Sequence, residues 1–245
     1  MPPTLAPSIR YSEALGWAAE LHRRHPRDLR SGELLAPIAR SMAVSVLVWS
    51  DGGDENQAIA ALLLEAIAAS AQTHRAIGER FGETVADLVV ACRPFAPEPG
   101  ACPDSLSGPF WVRASRARLQ AIQGQPVAIL RVITAQLAQE AWECWQACRR
   151  NTALWAHRPG GLEGTAWYWL RLHQLLRHSL PESLAIERLA EVLKRLLASP
   201  LYADLIPSGL APSVWAARYD DRCLLAETLP DRSPQETARP RVLHQ

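Results

Sequence analysis

The stretch QAIAALLLEAIAASA, residues 57–71, carries one charged side chain, Glu65, within a run of apolar and small residues. Such a run reads as a buried helix, and the turn before it supplies the start signal. In SDGGDENQ (50–57), Asp54 followed three residues later by Gln57 reads as an N-cap with a capping-box partner. A carboxylate in the middle of that helix needs a reason, because burying a lone charge is costly.

Helix signals recur on both sides of this segment. Residues 11–25 place Leu15, Ala18, Ala19 and Leu21 or His22 at helical spacing after Ser12, a candidate cap, and Pro26 ends the run. Residues 34–49 are apolar enough for a second buried helix. Thr73 opens a short helix that stops at Gly82, and Glu83 to Cys92 make another. A long loop rich in Pro, Gly and Ser covers 93–109, a length that is uncommon inside a domain. Helices are expected over 110–122, 126–150 and 164–179. Pro181 suits the first turn of a last long helix ending near Ser199. Leu and Ala dominate the composition while Phe and Tyr are scarce, and no alternating strand pattern occurs. The expectation is an all-α, single compact multi-helix bundle over residues 11–199. Residues 1–10 are read as an N-terminal extension and 200–245 as a C-terminal one, with a disordered tail from Pro230.

Lys and Arg total 26 against 25 Asp and Glu, so no global basic field points to nucleic acid. The N-terminus lacks the basic-then-apolar pattern of a signal peptide, and no apolar run reaches the roughly 18 residues of a membrane helix. Five Cys at irregular spacing do not form a disulfide framework. These features lead us to expect a cytoplasmic protein with reduced thiols and no membrane partner.

Several motifs invite chemistry. GGDE (52–55) has the letters of the diguanylate cyclase signature, but that signature needs a hairpin between strands, and here a helix follows. Cys144 and Cys148 share a helical face, yet a structural zinc site wants four ligands and no second pair is near in sequence. Two small buried side chains are the better account, and no metal is expected. Trp142, Trp145, Trp167 and Trp169 read as core and helix-seam residues. GGLEGT (160–165) lacks the Lys and spacing of a phosphate loop. The densest positive patch is HRRHPRDLR (22–30), where Arg23, Arg24, Arg27 and Arg30 are candidates for phosphate binding because a guanidinium fork takes two oxygens at once.

GGDENQAIAALL (52–63), IGERFGETVADLV (77–89) and EGTAWYW (163–169) resemble the HD-domain phosphohydrolases. The likeness is specifically to the hydrolase domain of RelA/SpoT-type (p)ppGpp enzymes, and it covers about residues 11–198. It implies an all-helical fold, a manganese ion held by a His, an adjacent His-Asp pair and a distant Asp, and release of pyrophosphate from the nucleotide. Position by position, the first ligand falls on Arg40 and the His-Asp pair on Leu64 and Glu65. The catalytic Glu-Asp pair falls on Ala68 and Ala69, and the distant Asp on Ala135.

Arg is permanently protonated and offers a metal no lone pair, and Leu and Ala carry no donor atom. One surviving carboxylate does not fix a catalytic divalent ion. The residues therefore read as a pseudoenzyme with no catalytic group and no cofactor, acting as a binding or regulatory module for a phosphorylated nucleotide or a protein partner. Two alternatives stand beside it: an active manganese-dependent pyrophosphohydrolase with a displaced metal site, and a purely structural interaction domain. Because the positions of Arg40 and Glu65 would touch one metal, their side chains are expected to converge as a guanidinium–carboxylate pair joining two helices.

Overall fold

The computed structural model describes residues 7–25, 36–68, 70, 72–95, 109–158, 160–203, 206 and 210–228. The described residues form helices joined by turns and short connections and contain no strand. In chain order the helices are α1 (Ile9–Arg24), α2 (Pro37–Ser50), α3 (Glu55–Ala68), α4 (His74–Phe81), α5 (Glu83–Cys92) and α6 (Pro109–Ile122). There follow α7 (Val127–Cys148), α8 (Gly161–Ser179), α9 (Leu184–Leu197), α10 (Pro200–Ala203) and α11 (Pro212–Thr228). Short 3₁₀ helices cover Arg93–Phe95 and Thr152–His157.

Helix α3 is the axis of the bundle. Ala58, Ile59, Ala60, Leu62, Leu63 and Ala66 are fully buried, so the helix is covered all round by α1, α2, α5 and α7. A helix apolar on every face is stable only in such a position. Asp54 caps it, its Oδ1 accepting from the Gln57 amide at 2.9 Å. The capping box expected from the sequence does not close, because the Gln57 side chain instead accepts from Arg131 Nη1 on α7 at 2.7 Å. The Gly-Gly before the cap is structural. Gly52 takes a φ of +73°, and a Cβ on Gly53 would lie 2.6 Å from Val48 Cγ1 and 2.7 Å from its carbonyl oxygen.

Polar side chains lock α1, α2 and α3 together in the core. Ser45 Oγ donates to the Ala58 carbonyl at 2.9 Å, which leaves the Tyr11 hydroxyl to donate to Ser45 at 2.8 Å. Helix α1 begins at Ile9 and is capped by Ser8, whose side chain accepts from the Arg10 amide, so the cap expected at Ser12 lies inside the helix. Thr73 and Gly82 bound α4 as expected, Thr73 accepting from the Ala76 amide and Gly82 turning at a φ of +88°. Pro181 precedes α9 in a turn, and the helix is capped instead by Ser183.

The second half of the chain wraps α7, the longest helix, with α8 and α9. Trp111 on α6 lies directly on α8: a Cβ on Gly160 or Gly164 would come within 2.6 or 2.7 Å of its ring. That close approach gives Gly164 of the EGTAWYW stretch its purpose. The helical body continues past residue 199, the bound expected from sequence. Helix α11 packs on α6 and α8 through buried Trp215, Ala216 and Tyr219. Asp220 fixes it there, accepting from Arg116 Nε at 3.1 Å and from both Arg171 Nε (2.8 Å) and Nη2. The expected tail from Pro230, like most of the 93–109 loop, lies outside the described residues. No helix among the described residues is long and apolar enough to cross a membrane.

Candidate functional site

Arg40 stands in the first turn of α2, and Glu65 in the last turn of α3. Each is at the helix end that disfavours its charge, since N-termini carry partial positive and C-termini partial negative charge. Both are placed so that the charges meet: Arg40 Nη1 donates to Glu65 Oε1 at 3.1 Å. The remaining edge of the same guanidinium grips Glu143 on α7. Nε lies 3.2 and 3.1 Å from the two carboxylate oxygens, and Nη2 donates to Oε2 at 2.9 Å. The side chains of Arg40, Glu65 and Glu143 are 14%, 16% and 5% exposed, so the assembly is largely withdrawn from water.

The network extends to a fourth helix. Gln139, one turn before Glu143, donates to Glu143 Oε1 at 2.9 Å, and its own Oε1 accepts from Arg188 Nη1 on α9 at 2.6 Å. One guanidinium thus bridges two carboxylates, and a neutral amide relays to a second guanidinium. Buried charges survive when they are paired and hydrogen-bonded on their remaining edges, as here.

The sequence-derived positions divide clearly. Arg40 and Glu65 come together as expected. Leu64 and Ala135 are core residues, 2% and 0% exposed, and Ala68 ends α3 half-buried. Ala69 lies outside the described residues. Glu143, Gln139 and Arg188 were not singled out in the sequence. A partial signal was present: Gln136, Gln139 and Glu143 recur at helical spacing along α7, but Arg131, Glu140 and Gln146 also interrupt its apolar residues, so the stripe does not stand apart in the sequence.

The basic patch is different in character. His22, Arg23 and Arg24 belong to the last turn of α1 rather than to a loop. Arg23 pairs with Glu20 at 2.8 Å and Arg24 at 2.5 Å, all at the surface. The Arg23 and Arg24 hydrogen bonds hold the Glu20 carboxyl down at about 2. Arg27 and Arg30 lie outside the described residues.

One further group could hold a metal among the described residues. His74, Glu83 and Asp87 join α4 to α5 at the surface, with His74 Nε2 at 2.7 Å from Asp87 and Nδ1 at 3.7 Å from Glu83. One ligand atom from each of the three lies within 4.8 Å of the others, but all three side chains are exposed, and exposed acidic groups gather in this way without an ion. Cys144 and Cys148 are buried with their sulfurs 3.8 Å apart. Trp145, Trp167 and Trp169 are buried in the core, and Trp142 lies half-buried under the Arg195 guanidinium.

Residues 14–98 match the family model of the HD domain, which supports a place in the HD-domain superfamily. That span runs from α1 through α5 and contains Arg40 and Glu65, but not Glu143. The chain is also similar to a protein of Listeria monocytogenes EGD-e solved at 1.85 Å, with a TM-score of 0.52 and 18% identity. The likeness covers 65% of this chain and 99% of that one, and at such identity it speaks for the fold alone. No curated protein matches the chain.

Proposed function

We propose that this chain is a catalytically inactive HD-domain protein of the (p)ppGpp-hydrolase type, kept as a binding or regulatory module. The observation that carries the reading is the Arg40 guanidinium between Glu65 and Glu143. By the family resemblance, Arg40 and Glu65 occupy two positions of a metal centre. A fixed organic cation there neutralises the carboxylates without supplying what a divalent ion supplies, namely an activated water and a charge clamp on phosphate. Arg does not give up its proton in a protein, so the network offers no general base from that side chain. The partner positions Leu64, Ala68 and Ala135 add no donor.

The ligand class to test first is a phosphorylated nucleotide. Arg23 and Arg24 are the described candidates for its phosphates, and their present partner, Glu20, is a solvent-facing carboxylate that a phosphate would displace without opening the core. The deciding experiment is pyrophosphate release from ppGpp by the purified protein with manganese, beside a catalytically intact relative, together with equilibrium dialysis of ppGpp. The expected result is no release at a sensitivity that detects slow turnover. Manganese-dependent release abolished by chelator would overturn the inactive reading, and absence of any nucleotide binding would move the module's role to a protein partner.

A further inference from the structure

Helix α2 has an outer face that the described residues leave open. Its sequence, PIARSMAVSVLVWS, holds one charged residue, Arg40, and that side chain is turned inward to Glu65 and Glu143. A helix without charge on any outer side is expected to be covered all round. Yet Met42 is 45% and Val46 58% exposed. Ala39, Ala43 and Trp49 are half-buried on the same stripe, which runs through positions i, i+3, i+4, i+7 and i+10.

Helix α1 runs beside α2 in the opposite sense. The Tyr11 hydroxyl lies 2.8 Å from Ser45 Oγ and its ring 6.1 Å from that of Trp49, while His22 Nε2 lies 3.4 Å from Ser41 Oγ. The side of α1 that carries Tyr11 and His22 separates buried Ala14, Ala18 and Leu21 from exposed Ser12, Gly16 and Ala19. These three small residues therefore form a shallow lane next to the α2 ridge. Gly16 is the informative one, because glycine inside a helix is destabilising relative to alanine. Every other described glycine either takes a positive φ or has an atom close to where a Cβ would stand; Gly16 alone has neither. Nothing within the described fold asks for a missing side chain there, whereas a surface arriving from outside does.

We propose that the α1–α2 face is the contact surface of a two-fold symmetric homodimer, in which the Met42–Val46 ridge of each copy lies on the Ser12–Gly16–Ala19 lane of the other. Ridge and lane stand side by side on one face, so a two-fold axis parallel to the helices superposes each on its complement. Neither stripe carries a charge, and the chain's net charge is +1, so two copies meet without like-charge repulsion. In this pose α2 of one copy runs antiparallel to α1 of the other. At 1.5 Å per residue α1 and α2 are about 24 and 21 Å long, and at about 10 Å of width each they present roughly 400 Å² a side before corrugation. That is the low end of specific interfaces, which makes the dimer weak and reversible.

Self-association does not depend on whether the chain is an active enzyme, and its readout is assembly state alone. Sedimentation velocity of the full-length protein over a range of concentrations should show a monomer–dimer equilibrium with a micromolar dissociation constant. Val46→Lys and Gly16→Glu, both at exposed helical positions, should each raise that constant at least about tenfold while leaving the circular dichroism spectrum unchanged. Mixing the two variants should restore dimers, because the new Lys of one copy then faces the new Glu of the other and the second ridge–lane contact is native. A parent that stays monomeric up to about 1 mM would overturn the proposal and leave this face to residues 26–35 of the same chain or to a different protein. A dimer indifferent to both substitutions would place the interface elsewhere, and two weakened variants that do not recover on mixing would exclude the ridge-on-lane pairing.

Discussion

At the scale of single residues, Arg40 has the largest consequence. Replacing it by Ala leaves Glu65 and Glu143 withdrawn from water with their shared cation gone, and breaking a buried pair in this way costs about 3–5 kcal/mol. We expect urea unfolding of Arg40→Ala to show that loss. The combined Arg40→Leu, Glu65→Leu, Glu143→Leu variant should lose less, because no uncompensated charge remains. Equal losses in the two would show that the methylene packing of Arg40, and not its charge, is what matters. Glu20 gives the pH-dependent counterpart. Its carboxyl is held down at about 2 by Arg23 and then Arg24, so its pairing contributes above the ordinary carboxylate range and is lost as pH falls from there towards 2. An NMR titration should place the Glu20 midpoint well below the other exposed carboxylates at low salt. The gap should narrow in 1 M salt, since both partner guanidiniums are exposed and the carboxylate itself is about one-third exposed. The convergence of Arg40 and Glu65 was legible in sequence only through the family likeness. Glu143 was not, because a single carboxylate 78 positions from Glu65 announces no partner until α7 is laid against α3.

At the scale of elements, the helices with wide apolar faces and clear punctuation were readable, and those relying on long-range partners were not. Helix α5 runs from Glu83 to Cys92, where Gly82 and Arg93-Pro94 bound it in the sequence. Helix α11 is hard to read from the sequence because, among its described side chains, only Trp215, Ala216 and Tyr219, little more than one turn, are buried, too short a stripe to stand out as a period. Its attachment rests on Asp220 between Arg116 and Arg171. Asp220→Asn keeps the shape and removes the charge from this partly buried cluster, costing about 1–3 kcal/mol. Limited proteolysis should then cut within 212–228 faster than in the parent, while cutting in α3 is unchanged; unaltered cutting would mean that the aromatic contacts suffice. The start of α9 is likewise governed from far away. Asp51, in the turn after α2, accepts from the Leu184 amide at 2.6 Å and from Ser183 Oγ at 2.5 Å. Asp51→Ala removes a cap and a favourable charge at a helix N-terminus, for a loss of about 1 kcal/mol in chemical unfolding. No change would show that Ser183 alone caps the helix.

At the scale of the whole molecule, the bundle brings three helices to one point at which two carboxylates face a guanidinium. Arg40 enters from α2, Glu65 from α3 and Glu143 from α7, and α9 buttresses the cluster through Arg188 and Gln139. If this point is a cation position now filled by the chain's own side chain, it should accept a metal once the guanidinium is replaced by a ligand. Arg40→His removes the permanent charge and presents an imidazole near Glu65, Glu143 and the Gln139 amide, an N/O donor set suited to first-row divalent ions. Manganese at 100-fold over its dissociation constant would then stabilise the variant by about 2.7 kcal/mol, a rise in Tm of about 5–10 °C for a domain of this size. The parent protein, with Arg40 in place, should show no shift with manganese and none with chelator. A manganese-dependent rise in Arg40→His alone would support the reading of the Glu65–Glu143 pair as a former metal cradle. A rise in the parent as well would place a metal site elsewhere in the molecule. No rise in either, with the variant folded by circular dichroism, would mean that the carboxylates are spaced for a guanidinium only and that the network is a structural tie between helices.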